Sequence, residues 1–283
     1  MTNNYLQFKK QRELGEIISD TFKFLRESYK PVFKIILKLV ALPFALLVLA
    51  TAYYSYSLPA SFFQAVDFSS GNFIIAFAVL IIAYVVFYAS FYAAIYHFIK
   101  SYINHQGIAV EEEVTAGFKK DFGSLLGLYI INAILIGVGL LLLVIPGIYL
   151  SIPLSLAGAV MVFKNLSIKE TIKYCLKLIN GNWWMTFITI IIISLLVYVI
   201  GLIFQLPLIV YTIVKVITFS QEGSVAELDA SSDWIMIVLQ VFSSLIQHLL
   251  SVITVIALAF IYFNLNEEKH LTGTFEKIDS IGQ

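Results

Sequence analysis

Acidic side chains are missing from five long stretches of this chain: Val32 to Tyr54, Phe73 to Ile99, Leu125 to Phe163, Trp183 to Phe219 and Trp234 to Phe263. Only Lys34, Lys38 and Lys215 carry a fixed charge within them. Charged residues make up 13% of the sequence against 60% apolar ones, about half the charged share of an ordinary soluble domain. The lack of a carboxylate inside the apolar runs argues against a proton- or sodium-coupled transporter built around a midplane acid. Cysteine occurs once, so no disulfide can close within the chain, and Cys175 reads as a small apolar packer. There is no HExxH, no Gly-rich phosphate loop and no GxSxG, and His97, His105, His248 and His270 fall at no metal-ligand spacing. Neither a catalytic constellation nor a metal or other cofactor is expected. The formal net charge is zero, which gives no reason to expect nucleic acid. The first thirty residues lack an apolar core ending in small residues, so no cleavable signal is read there.

What is present is hydrocarbon length. A helix rises 1.5 Å per residue, so crossing an acyl core of about 30 Å takes roughly 20 residues. Three stretches fit one crossing each. The third is too long for one span and contains Pro146-Gly147, a stop and turn signal, which predicts a hairpin of helices over 125–145 and 148–163. The fourth is interrupted at Gln205-Leu206-Pro207, leaving a span over 183–204 and a short apolar remainder, 208–219, expected to be interfacial or re-entrant. The fold class is therefore an all-α polytopic membrane protein, a single membrane domain over 1–283. Its six transmembrane helices are placed near 32–54, 73–99, 125–145, 148–163, 183–204 and 234–263, with a tail over 264–283. Lys9, Lys10, Arg12, Lys23, Arg26 and Lys30 precede the first span; Lys100, Lys119 and Lys120 follow the second; Lys164, Lys169, Lys173 and Lys177 follow the fourth; Lys269 and Lys277 follow the sixth. All fall on one side of a six-span arrangement, so both termini are expected to be cytoplasmic. Lys34 and Lys38, just inside span one, can snorkel to that surface.

The segments on that side are amphipathic. Leu14, Ile17, Ile18, Thr21, Phe22 and Leu25 recur at helical spacing and predict a helix over 13–29; a weaker pattern runs over 110–122. A third helix, 167–180, opens on Ser167 with Glu170 three residues later and closes on Asn180-Gly181. Its apolar face is read as Ile168, Ile172, Cys175, Leu176 and Ile179, and Lys169, Lys173 and Lys177 step along the other as a candidate surface for lipid headgroups or a protein partner. Three units of amphipathic helix plus hairpin would account for the chain, although any membrane protein can lay such helices on the headgroups before inserting. Glu111-Glu112-Glu113 reads as a solvated face at a helix start.

Within the spans, polar residues form stripes at spacings of three and four. Gln240, Ser244, Gln247, Ser251 and Thr254 line span six; Ser194, Tyr198, Gly201 and Gln205 line span five; Gly147, Ser151, Ser155 and Gly158 mark span four; Tyr84, Tyr88, Tyr92 and Tyr96 form a ladder on span two. Hydrocarbon cannot solvate amides or hydroxyls, so these stripes face protein, either as interhelical packing or as the wall of a cavity. His248 lies near the centre of span six, where an ionisable group is a functional hypothesis by default. The candidate intramembrane site is thus Gln240, Ser244, Gln247, His248, Ser251, Tyr198 and Gln205.

Four segments carry a family likeness: Leu14-Gly15-Glu16-Ile17-Ile18-Ser19-Asp20-Thr21-Phe22, Ile145-Pro146-Gly147-Ile148-Tyr149-Leu150, Leu176-Lys177-Leu178-Ile179-Asn180-Gly181-Asn182-Trp183-Trp184, and Ile261-Tyr262-Phe263-Asn264-Leu265. With them the chain resembles, over nearly its full length, the membrane domain of bacterial glycerophosphoryl diester phosphodiesterases and its stand-alone relatives of uncharacterised role. In the fused members a soluble phosphodiesterase domain, with catalytic His and Glu residues and a divalent metal, follows the membrane part. About twenty residues follow span six here, so that domain is expected to be absent and no catalytic residue carries over. The resemblance implies an auxiliary module of the bacterial inner membrane that scaffolds, senses or handles lipid, without enzyme activity. The alternative is a channel or carrier for a small solute or lipid, with a path lined by the polar residues of spans five and six.

Overall fold

The computed structural model describes residues 5–57, 71–222 and 234–273, with 275 and 278. These residues form eight helices and no strand: α1 (Leu14–Tyr56), α2 (Gly71–Asn104), α3 (Glu111–Leu142), α4 (Val144–Ser155), α5 (Ala157–Lys164), α6 (Ile168–Ile179), α7 (Trp183–Glu222) and α8 (Trp234–His270). With α4 and α5 taken together, six are long and apolar enough to cross a membrane, so the chain is an all-α polytopic membrane protein. Asp67, Glu227, Asp229, Asp233 and Lys277 lie outside the described residues.

Several expected boundaries are displaced, each for a local reason. The amphipathic segment 13–29 and span one are a single helix of 43 residues, about 65 Å long. It runs through Pro31 and Pro43, each of which removes only one backbone bond. Segment 110–122 likewise continues directly into span three. The remainder 208–219 is not a separate segment: α7 passes Pro207 as one helix of 40 residues. The tail is helical as far as His270. The hairpin turn falls at Leu143, which is extended (φ −159°, ψ 134°), three residues before Pro146. Pro146 instead sits in the first turn of α4, where its missing N–H has no intrahelical acceptor to lose. Backbones approach closely at this corner, since a Cβ on Gly139 would lie 2.9 Å from the Cα of Gly147.

Span four bends where its proline predicts. Pro153 cannot donate to the Tyr149 carbonyl four residues back, and the helix breaks at Leu156. The freed Tyr149 oxygen accepts instead from the indole Nε1 of Trp183 at 3.1 Å, and the Trp183 ring stacks on Tyr149 with centroids 5.5 Å apart. Only α6 stands as a separate amphipathic helix. Its N-terminus carries the capping box, with the Ser167 backbone N–H and hydroxyl both donating to Glu170 (3.1 and 2.6 Å), and Gly181 follows its end at φ +91°.

The chain divides into two compact units: Met1–Val40, Tyr88–Leu195 and Val252–Gln283 form one, Ala41–Phe87 and Leu196–Ser251 the other. The first has an aromatic core around a residue that precedes α1. Phe8 is fully buried, stacked on Phe260 at 4.4 Å and edge-on to Phe24 at 5.1 Å. Arg12 anchors the same segment: its guanidinium bonds Asp20 at 2.8 Å and the carbonyls of Gln7, Phe8 and Lys10, and it lies 4.7 Å over the Phe260 ring. In this unit Glu112 is exposed, as expected of a solvated face, whereas its two neighbours in the acidic run are ties. Glu111 pairs with Lys34 and Lys38 at 3.0 and 2.5 Å, and Glu113 takes bonds from Ser101 and Asn104 at 2.7 and 2.9 Å.

Candidate functional site

In the second unit, the stripes of α7 and α8 meet. Gln205, Gln240, Ser244, Gln247 and His248 line one cavity of about 310 Å³, together with Thr51, Tyr54, Tyr84 and Ser243. The Gln205 amide donates to Gln247 Oε1 at 3.4 Å, a long bond. Gly201 makes room for that carboxamide, because a Cβ at 201 would lie 2.7 Å from Gln247 Oε1. The His248 ring is buried against Tyr84 and Phe87, with centroids 5.4 and 5.3 Å away. Two expected members stand apart. Tyr198 is 52% exposed and outside the cavity, since a residue three before Gly201 lies partly round the helix from it. The Ser251 hydroxyl is spent on the His248 carbonyl at 2.5 Å. Thr51, Tyr54, Tyr84 and Ser243 were missed because they sit on α1 and α2 or off the stripe; only the spacing of Tyr84 in its ladder hinted at one of them.

In the first unit, α6 presents Lys169, Lys173 and Lys177, all exposed, opposite Thr171, Cys175, Leu178 and Ile179, which are buried. The buried face is rotated from the expected one: Leu178 replaces Leu176, which is 42% exposed. Cys175 is fully buried, and loss of water pushes its thiol up to about 12. The end of α6 is closed by Lys269, whose Nζ donates to the carbonyls of Lys177 and Asn180 at 2.9 and 2.8 Å, placing positive charge at the negative end of the helix.

A larger groove of about 750 Å³ in this unit has no signature in the sequence. Leu14 to Ile17 at the start of α1, Asn182 to Thr189 at the start of α7 and Ile261 to Glu268 on α8 form its walls. Its lining mixes the polar Gln11, Arg12, Glu13, Glu16, Asn182, Thr186, Thr189, Asn264 and Glu268 with the apolar Leu14, Ile17, Met185, Ile261 and Leu265. Asn182 donates to Glu268 at 2.8 Å, and Glu16 pairs with Lys10 at 2.9 Å. Three of the four segments that carry the family resemblance converge here. Among the described residues no group of three His, Cys, Asp or Glu side chains could hold a metal ion.

No family model, curated protein or solved structure matches this chain.

Proposed function

We propose that this protein is a non-enzymatic, lipid-interacting module of the bacterial inner membrane, with both termini cytoplasmic. The observation that carries the reading is the 750 Å³ groove, whose lining combines carboxylates, amides and the Arg12 guanidinium with aliphatic side chains, the two chemistries that an amphiphile's headgroup and first acyl carbons call for. Its position supports this: Trp183, Trp184 and Tyr149 cluster beside the start of α7, as aromatic side chains do at a membrane–water boundary. The exposed lysines of α6 add attraction for anionic headgroups, worth roughly 1 kcal/mol each near such a surface. The resemblance to phosphodiesterase membrane domains points the same way, toward an auxiliary role.

Native mass spectrometry after gentle extraction tests it. Gly15 lines the groove and a Cβ there meets nothing within 4 Å, so Gly15→Trp sets a bulky ring at the groove from an unobstructed backbone position. Wild-type protein should retain a lipid that Gly15→Trp loses, and Lys169→Glu, Lys173→Glu and Lys177→Glu together should shift the retained lipid away from anionic headgroups. Bare wild-type protein, or the same lipid on both proteins, would overturn the proposal.

The second reading is a channel or carrier, favoured by the polar cavity of the other unit. Solute movement by reconstituted protein that stops on Gln247→Leu would put it first.

A further inference from the structure

The cavity between α1, α2, α7 and α8 in the second unit has a composition that selects a ligand class. We propose that it binds a small uncharged solute bearing amide or hydroxyl groups. The inference rests neither on lipid binding nor on transport, since an occupied site needs no path through the protein.

Charge is the first criterion. No carboxylate, ammonium or guanidinium lines the cavity; its polar lining is carboxamide, hydroxyl and one imidazole. An ion entering a site set in apolar helices would shed water and find no counter-charge, whereas a neutral polar solute needs only hydrogen-bond partners. The second criterion is bonding capacity. Each glutamine brings two N–H donors and an acceptor oxygen, and the 3.4 Å Gln205–Gln247 contact uses one donor and one lone pair. Gln240, Ser243 and Ser244 make no side-chain hydrogen bond among the described residues, yet Ser243 is 8% exposed and lines the cavity. Their donors and acceptors line the cavity unspent and can bond a guest. Size is the third criterion: about 310 Å³ stands at the small end of ligand cavities. Gly201 sets the shape, because any side chain there would push the Gln247 amide from its place.

Saturation-transfer NMR on the protein in nanodiscs tests this with acetamide and erythritol as neutral probes, and acetate and ethylammonium as charged counterparts close to acetamide in shape. Acetamide and erythritol should receive saturable transfer that falls at least ten-fold in Gln247→Leu, in Gln240→Leu and in Gly201→Ala. Lys119→Glu, on the other unit, should leave it unchanged, and acetate and ethylammonium should receive none. Circular dichroism identifies a variant that has lost its helices, and the remaining cavity variants then decide. Absence of saturable transfer to both neutral probes, equal transfer to the charged ones, or transfer that survives in folded Gln247→Leu and Gln240→Leu would overturn the proposal.

Discussion

The segment before α1 has no amphipathic period and would pass for a disordered terminus, yet the structure gives it a fixed place. Phe8 has no exposed surface and touches Phe24, Tyr102, Phe260 and Phe263, with centroids between 4.4 and 6.0 Å. Truncating a fully buried phenylalanine to alanine costs about 3–5 kcal/mol, from lost transfer energy plus the void left behind. The four ring contacts favour the upper half of that range. The cost has a ceiling, because residues 5–12 can detach while the spans stay folded, and detachment also breaks the 3.1 Å bond from the Leu6 amide to the Tyr102 hydroxyl. The effect of Phe8→Ala is therefore local. Hydrogen exchange of the protein in nanodiscs should show the hydrogen-bonded amides of Leu6, Lys10 and Arg12 losing protection by roughly three to three and a half orders of magnitude, at about 1.4 kcal/mol per tenfold. The helices within the spans should be unaffected. Free exchange of this segment in the wild type, or unchanged protection in Phe8→Ala, would refute the reasoning.

Other outcomes follow from α6 and the bend of span four. With its thiol raised to about 12 by burial, Cys175 should resist iodoacetamide at pH 8 in the native protein and react on denaturation; rapid native labelling would contradict the burial. The Glu170 carboxyl is held below the ordinary carboxylate range by the Ser167 hydroxyl and then by its backbone N–H. Its cap therefore stabilises α6 fully above the unfolded pKa and is lost as pH falls through the lower folded one. Exchange of the first α6 amides should accelerate on acidification through that window, and Glu170→Gln should abolish the dependence. Trp183→Phe keeps an aromatic ring but removes the bond to the exposed Tyr149 carbonyl, and should cost about 0.5–1.5 kcal/mol in a reversible SDS unfolding series; an unchanged midpoint would show that water replaces the indole at no cost.

Much of this was legible in the residues because the bilayer imposes a single demand, that charge leave the apolar runs. The α6 boundaries were readable from Ser167, Glu170 and Gly181, since caps are local chemistry. Gln205 and the trio Gln240, Ser244 and Gln247 were readable from spacings of three and four, which keep side chains on one helix face, and His248 from its depth in span six. The prolines misled. Pro146 starts a helix instead of ending one, and Pro207 interrupts nothing, because a proline removes a single backbone bond and a long apolar helix retains the rest. Tyr198 shows how a stripe drifts: it shares the spacing of Gly201 and Gln205 yet faces outward. The groove was invisible for a different reason, since its walls come from segments some 170 and 250 residues apart in sequence and no local pattern joins them. The Phe8 core shares that cause.

Nitroxide labels placed singly along each of the six long helices, in a Cys175→Ser background, and compared for collision with oxygen and with a water-soluble nickel chelate, test the membrane architecture most directly. A depth maximum is expected near the middle of every span. On α7 the profile should be continuous, with helical period through Pro207. Nickel access along whole helices, or an α7 profile that turns back to the surface after Gln205, would contradict the architecture.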